Sequence, residues 1–271
     1  MNEAELLFTE IFKCDRLSLY LNSESLIDKD KSALVSTVLQ RRISGEPIQY
    51  ILGKSEFMGL EFKVAPGVLI PRPETEILVE AVLKFSRQPG FFGRRLEIMD
   101  VGTGSGNIAV SLAKLLQDSN ITAIDISKEA IEIAKYNAMS NNLADRINFI
   151  QSDLFSSCEP MAGGCDIIVS NPPYIPTQEL KDLQPEIRYE PVIALDGGKE
   201  GLDYYCKLAG RAPYFLREGG LLITEIGYNQ KDAVMDIFEN NGNLRVLEAI
   251  QDYNNIDRVI VAEKRKVKWT S

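Results

Sequence analysis

Residues 96–116 read LEIMDVGTGSGNIAVSLAKLL. The apolar run Leu96–Val101 has the length and composition of a buried strand, and Asn107–Leu116 carries helical periodicity. Between them, Asp100-Val101-Gly102-Thr103-Gly104-Ser105-Gly106-Asn107 forms a glycine loop that opens the helix. Glycine lets a backbone approach a ligand closely, and the free N–H groups of a helix start point at it. The spacing is G-x-G-x-G. The third glycine of a dinucleotide fingerprint would fall on position 107, which is Asn, and no Gly-Lys-Ser/Thr follows. The loop therefore departs from both a dehydrogenase and a P-loop. A tight turn with no ligand is the bland alternative.

The same texture continues downstream. Ile121–Asp125 reads as a strand, Lys128–Asn141 as a helix, and Ile147–Gln151 and Asp166–Ser170 as two more strands. After a long Pro-rich segment, 172–200, come a helix (Leu202–Leu216), a strand (Gly220–Ile226), a helix (Gln230–Asn240) and two closing segments, Leu244–Gln251 and Arg258–Glu263. Strand alternating with helix predicts an α/β fold, a doubly wound, mostly parallel sheet covered on both faces. The last two segments are too close for a helical crossover, which predicts an antiparallel strand at that edge.

Upstream of residue 74 the pattern differs. Residues 1–45 lack strand alternation; Ala4, Leu7 and Ile11 share a helical face, as do Leu34, Val38 and Ile43, and Gly45-Glu46-Pro47 stops the helices. From Glu56 to Val64, alternating Leu60, Phe62 and Val64 predict a β-hairpin with Gly59 in the turn. Pro66, Pro71 and Pro73 make a stiff connection, followed by a helix with Leu78, Ala81, Val82 and Phe85 on one face. The expected division is a helical domain at 1–45, a hairpin and Pro-rich linker at 46–73, and an α/β domain at 74–271. No internal repeat is present.

Composition narrows the chemistry. The chain has 271 residues, 45% apolar and 25% charged, which excludes global disorder and suits one large domain or two ordinary ones. There is no histidine, so His-based triads, His general bases and His metal ligands are excluded. Cys14, Cys158, Cys165 and Cys206 form no C-x-x-C pair and read as reduced thiols of a cytoplasmic protein without a metal site. No apolar run is long enough to span a membrane, and the acidic start MNEAELLFTE is not a secretory signal. The net charge of −9 argues against direct nucleic-acid binding. A short basic tail, Lys264, Arg265, Lys266 and Lys268, reads as a solvated terminus.

Two acids follow the glycine loop at successive strand ends. Asp125 is placed to accept hydrogen bonds from two ribose hydroxyls, or to cap the following helix, a job Ser127 would do as well. Asp153, followed by Leu154, is placed to bind an exocyclic amine. Together they outline a nucleoside-shaped pocket where doubly wound sheets bind ligands. The combination resembles the seven-stranded fold of S-adenosylmethionine-dependent methyltransferases.

The fourth strand end carries Asn171-Pro172-Pro173-Tyr174. The prolines stiffen the backbone and remove N–H donors, leaving carbonyls aimed; Asn171 adds a side-chain acceptor and Tyr174 a flat face with a hydroxyl. A planar –NH2 group is a poor nucleophile, because its lone pair is delocalised. Two acceptors that hold its N–H bonds orient the nitrogen and stabilise the positive charge that develops on it. Such motifs mark methyltransferases acting on adenine N6 or on the side-chain amide of glutamine.

Outside the core, the chain carries Gly45-Glu46-Pro47-Ile48-Gln49-Tyr50-Ile51-Leu52-Gly53, Leu69-Ile70-Pro71-Arg72-Pro73-Glu74-Thr75-Glu76, Tyr189-Glu190-Pro191 and Ala194-Leu195-Asp196-Gly197-Gly198. With Asn171–Tyr174, these resemble the peptide chain release factor glutamine methyltransferases, the HemK/PrmC family, over residues 1–263. The resemblance implies methyl transfer from S-adenosyl-L-methionine to the glutamine of the Gly-Gly-Gln loop in class 1 release factors. Gly102, Thr103, Gly104, Ser105 and Gly106 would cradle the methionine part, Asp125 the ribose, and Asp153 with Leu154 the adenine. Asn171, Pro172, Pro173 and Tyr174 would hold the glutamine amide, with Asn171 also touching the cofactor. The expected enzyme is a monomer whose helical domain grips the release factor. Arg72, between two prolines, is expected either to pair with Glu74 or Glu190 or to close the pocket. The alternative is an adenine-N6 methyltransferase acting on DNA or RNA, which calls for a basic groove; a binding-only relative has no need of an intact Asn171–Tyr174.

Overall fold

The computed structural model describes residues 2–21, 26–160 and 162–266; Lys268 of the basic tail lies outside them. The chain begins with helices α1 (Glu3–Phe12), α2 (Arg16–Leu21), α3 (Lys29–Ile43) and α4 (Ile48–Leu52). A capping box starts α1: the Asn2 side chain accepts from the Glu5 N–H at 2.8 Å, and the Glu5 carboxylate accepts from the Asn2 N–H at 3.1 Å. Leu7, Val38 and Ile48 form a small core with Ile11, Ile51 and Leu52 against it. The faces read from sequence are narrower than expected, since Ala4, Leu34 and Ile43 are exposed. Gly45, at φ 89°, ends α3, but the chain re-enters a helix immediately, because Pro47 is compatible with a helix start. Part of the segment read as linker thus packs with α1 and α3.

Strands β1 (Lys54–Phe57) and β2 (Leu60–Lys63) form the hairpin, with Met58 and Gly59 both at positive φ, the geometry of a type I′ turn. The remaining elements are α5 (Thr75–Ser86), β3 (Leu96–Val101), α6 (Asn107–Leu115), β4 (Ser119–Asp125), α7 (Lys128–Ser140), β5 (Ile147–Gln151), β6 (Cys165–Ser170), α8 (Asp203–Phe215), β7 (Leu216–Glu225), α9 (Lys231–Asn240), β8 (Leu244–Gln251) and β9 (Asp257–Lys264). The Pro-rich segment holds three short 3-10 turns, at Thr177–Asp182, Ile187–Tyr189 and Val192–Ala194.

Among the described residues, β3–β9 form a seven-stranded sheet in the order β5-β4-β3-β6-β7-β9-β8. The first five of these strands pair in parallel; β9 runs antiparallel to both β7 and β8. Alternate residues of the central strands face opposite layers. Ile98, Ile167, Val169, Ile223 and Val261 pack with α5 and α6, whereas Met99, Ile168, Leu222 and Ile260 pack with α8 and α9. Burial on both faces explains the continuous apolar runs. The direction of winding reverses between β3 and β6, which opens a crevice at their carboxyl ends.

Candidate active site

The glycine loop leaves β3 with Gly102, Gly104 and Gly106 at φ of 79°, 54° and 80°. Buried Asp100 holds it from beneath: its Oδ2 accepts the Thr103 hydroxyl at 2.6 Å and the Ala109 N–H at 3.2 Å. Burial pushes Asp100 up to about 7. A Cβ on Gly106 would lie 2.9 Å from that of Ala134, so α7 approaches the loop closely only because this residue is glycine. By contrast, a Cβ on Gly104 would meet nothing within 4 Å.

Asp125 ends β4. Its Oδ2 accepts the Gly104 N–H at 2.8 Å and its Oδ1 the Ser127 N–H at 2.9 Å, while burial raises its pKa against these bonds. Ser127, not Asp125, caps α7. After β5, Leu154 sits at φ 50°, a conformation uncommon for a non-glycine residue.

Gly102, Gly104, Asp125, Asp153, Leu154, Asn171 and Pro173 line one cavity at the sheet's carboxyl edge. Thr103, Ser105 and Gly106 do not line it; Thr103 and Ser105 are buried behind the loop. Sequence reasoning missed further wall residues: Gly67, Val68 and Leu69 of the Pro-rich connection, Ile193 and Ala194 of the long segment, and Tyr204 of α8. Leu69 and Ala194 open two of the segments quoted above, and Pro66-Gly67 is a further local signal. A Cβ on Gly67 would meet the carboxyl end of the Glu129 side chain, so the connection runs beside the start of α7. Burial and then the charges of Asp153, Asp196, Asp125 and Asp203 raise the Tyr204 hydroxyl, so this cavity is acidic.

A second cavity adjoins the first. It is lined by Arg72, Asn171, Pro172, Tyr174, Ile175 and Ile187, among others. Asn171, Leu69 and Ala194 belong to both. Asn171 Nδ2 donates to Thr75 Oγ1 at 3.1 Å. The Tyr174 hydroxyl donates to Glu225 Oε1 at 3.4 Å, and burial, with Glu225 beside it, pushes that hydroxyl well up. Gln230 pins the Tyr174 carbonyl, donating to it at 2.9 Å. Wholly buried Glu225 is pushed up to about 7 by burial, opposed most by the Thr75 hydroxyl and then by Arg258.

Arg72 pairs with Glu190, whose side chain is buried and also accepts the Ile70 N–H at 3.0 Å. The Pro-rich connection is thereby tied to the long segment. The helical unit is tied to the same segment by Arg42–Glu186 at 3.1 Å and by the Tyr189 hydroxyl donating to the Ser44 carbonyl at 2.9 Å.

The residues fit S-adenosylmethionine. A glycine loop open to the cavity at Gly104 leaves room for a ligand, and a carboxylate held by two backbone N–H groups keeps lone pairs for a diol. Acidic walls suit a sulfonium and an ammonium. No group of three or more metal-ligating side chains occurs among the described residues.

Comparison with known proteins agrees with this geometry. The Methyltransferase small domain family matches residues 74–187 and the PrmC N-terminal domain family residues 1–53. A release factor glutamine methyltransferase of Geobacter sulfurreducens is 42% identical, over 95% of this chain and 87% of that protein. Another, from Clostridium acetobutylicum, is 39% identical over 97% and 90%. The chain belongs to the release factor glutamine methyltransferase family. The fold of this family member is also that of a Pyrococcus furiosus methyltransferase, with a TM-score of 0.56 at 18% identity, covering 88% of this chain and 100% of that one.

Proposed function

We propose that Asn171, Pro172 and Tyr174 hold the side-chain amide of the release factor glutamine in the second cavity, with Pro173 between them facing the first, while Gly102–Gly106, Asp125, Asp153 and Leu154 position S-adenosylmethionine in the first. The observation that carries this reading is that Asn171 forms a wall common to both cavities. A group anchored there lies where donor and acceptor of a methyl group meet. Gly102 and Gly104 border the methionine part, Asp125 holds the ribose, and Asp153 with Leu154 borders the adenine; Thr103, Ser105 and Gly106 shape the loop from behind.

When bound, S-adenosylmethionine supplies an electrophilic methyl group on a sulfonium that departs as a neutral thioether. Asn171 Oδ1 and the Pro172 carbonyl accept the two N–H bonds of the glutamine amide. That contact aims the nitrogen and stabilises the charge it gains as the N–C bond forms and the C–S bond breaks. Tyr174 closes the far side of the amide, with its carbonyl anchored by Gln230. The extra N–H proton leaves to water after transfer, so no histidine base is needed. The products are N5-methylglutamine, S-adenosylhomocysteine and a proton.

The substrate under this reading is the Gly-Gly-Gln loop of class 1 release factors, which places the enzyme in translation termination in the cytoplasm. No described helix is long and apolar enough to cross a membrane. The helical N-terminal unit grips the release factor away from the chemistry, and the enzyme acts as a monomer without touching nucleic acid directly. The test is peptide mass spectrometry of a purified release factor after incubation with the enzyme and S-adenosylmethionine, with an unmethylated oligonucleotide in parallel. A gain of one CH2 on the Gly-Gly-Gln peptide, lost with Asn171→Ala, is expected. Methylation of the oligonucleotide alone would overturn the substrate, and full turnover by Asn171→Ala would overturn the site.

A further inference from the structure

A side-chain amide can sit either way round, and its neighbours decide which. At Gln230 three backbone groups decide it. The Gly227 N–H donates to Gln230 Oε1 at 3.0 Å, and an N–H cannot accept. Nε2 donates to two carbonyl oxygens, those of Tyr174 at 2.9 Å and Gly201 at 3.2 Å, which have no proton to give. The Tyr205 hydroxyl, which donates to the Glu225 carbonyl at 3.1 Å, also reaches Oε1 at 3.4 Å. The carboxamide thereby joins three loops at the sheet's carboxyl edge: the one after β6 that carries Asn171–Tyr174, the one before α8 and the one after β7.

The clamp is itself fixed. Gln230 stands at the start of α9, its N–H donating to the Gly227 carbonyl at 3.2 Å and its carbonyl accepting the Val234 N–H at 2.9 Å. Glycines let the loops close on Tyr174. A Cβ on Gly227 would lie 2.7 Å from Gln230 Oε1 and 3.0 Å from Tyr174 Cδ2, and a Cβ on Gly201 would strike the Tyr174 carbonyl oxygen. Next along the chain, the Ile175 N–H donates to the Leu195 carbonyl at 2.9 Å, and the Ile175 carbonyl accepts the Gly197 N–H at 2.8 Å. Pro172 and Pro173 offer no N–H for such bonds, so the backbone tether falls on Tyr174 and Ile175.

We infer that Gln230 is a positioning residue for methyl transfer: by fixing the Tyr174 carbonyl against the loops before α8 and after β7, it keeps the Tyr174 ring and the Pro172 carbonyl in place opposite Asn171 for the glutamine amide. Gln230 lines neither cavity and touches no reacting atom. The inference rests on the reading of Asn171–Tyr174 as the amide site, and its test separates the two.

The experiment compares Gln230→Met, Gly227→Ala, Val234→Ala and Asn171→Ala with the wild-type enzyme. It measures kcat and KM on a purified release factor well below the thermal midpoint, Kd for S-adenosylhomocysteine by calorimetry, and the thermal midpoint itself. Gln230→Met keeps the length of the side chain but donates to neither carbonyl. Gly227→Ala keeps Gln230 and drives a methyl between it and the Tyr174 ring. In both, kcat should fall about ten- to a hundredfold, the scale of cost for a misplacement of about 1 Å at the reacting groups. KM and cofactor Kd should stay near wild type, because Tyr174 does not line the cofactor cavity. Both variants should also lose some stability, so Val234→Ala, which thins the buried face of α9 one turn on, is the reference. It should lower the thermal midpoint and leave kcat unchanged. A Val234→Ala enzyme as slow as Gln230→Met at a similar midpoint would reduce Gln230 to a structural role and overturn the inference. A fully active Gln230→Met beside an inactive Asn171→Ala would overturn it and leave the site standing. A fully active Asn171→Ala would overturn the site reading itself.

Discussion

Burial of Glu225 has a measurable thermodynamic consequence. Its pKa rises from 4.5 to about 7 on folding, with burial as the leading cause. The folded state therefore keeps this proton to higher pH than the unfolded chain does. The favourable contribution is complete below about 4.5 and is lost as pH climbs to about 7. At about 1.4 kcal/mol for each pKa unit, the loss amounts to about 3 kcal/mol above pH 7. Glu225→Gln removes the titration while keeping an oxygen for the Tyr174 hydroxyl. For a chain of this size, about 3 kcal/mol corresponds to about 6–12 °C in thermal midpoint. The assay is scanning calorimetry of both proteins at pH 5 and pH 8. Asp100 is also raised to about 7 by burial, but it is common to both proteins and cancels in the comparison. Part of the loss is already complete at pH 5, so wild type should lose about 5–10 °C more than Glu225→Gln between the two pH values. Parallel losses would refute the claim that Glu225 is buried at a cost in its ionised form.

Asn171→Ala should lower kcat roughly 10²–10³-fold. Its S-adenosylhomocysteine affinity, read by calorimetry, should change far less. Gly106→Ala should destabilise by about 1–3 kcal/mol, because the new methyl meets Ala134 at 2.9 Å and φ is 80°; urea unfolding at constant pH reads it. Arg72→Ala strips the partner from buried Glu190 and should cost about 3 kcal/mol, near the lower end for a broken buried pair because Arg72 is partly exposed. Adding Glu190→Gln should restore part of that loss in the same unfolding assay, whereas a double variant no more stable than Arg72→Ala would mean the pair carries no burial penalty.

Much of the catalytic unit was legible locally. β3 and β5 have the bounds that their apolar runs predict, and the hairpin turns at Met58-Gly59, where positive φ is required. The glycine loop, Asp125, Asp153 and Asn171–Tyr174 each sit at a strand end, so a parallel sheet necessarily delivers them to one edge. Helix α4 was missed because Pro47 reads as a stop from the left and as a start from the right. The exposure of Leu34 and Ile43 was missed because a short helical unit has too little opposing surface to cover a full face.

The sequence by itself determined the order of the elements, the alternation that makes the sheet parallel, and the residue types at its carboxyl edge. Those properties are carried by neighbours in the chain, through periodicity and through the backbone limits of glycine and proline. Only the tertiary structure decided that Arg72 pairs with Glu190 and not with adjacent Glu74, that Gly67–Leu69 and Tyr204 wall the cavity at the sheet's carboxyl edge, and that Thr75 meets Asn171 while Glu225 meets Tyr174. Each of these joins segments far apart in the chain. A carboxylate or a hydroxyl leaves no periodic trace of the partner it will meet, so its role is set by which strands and helices the fold brings side by side.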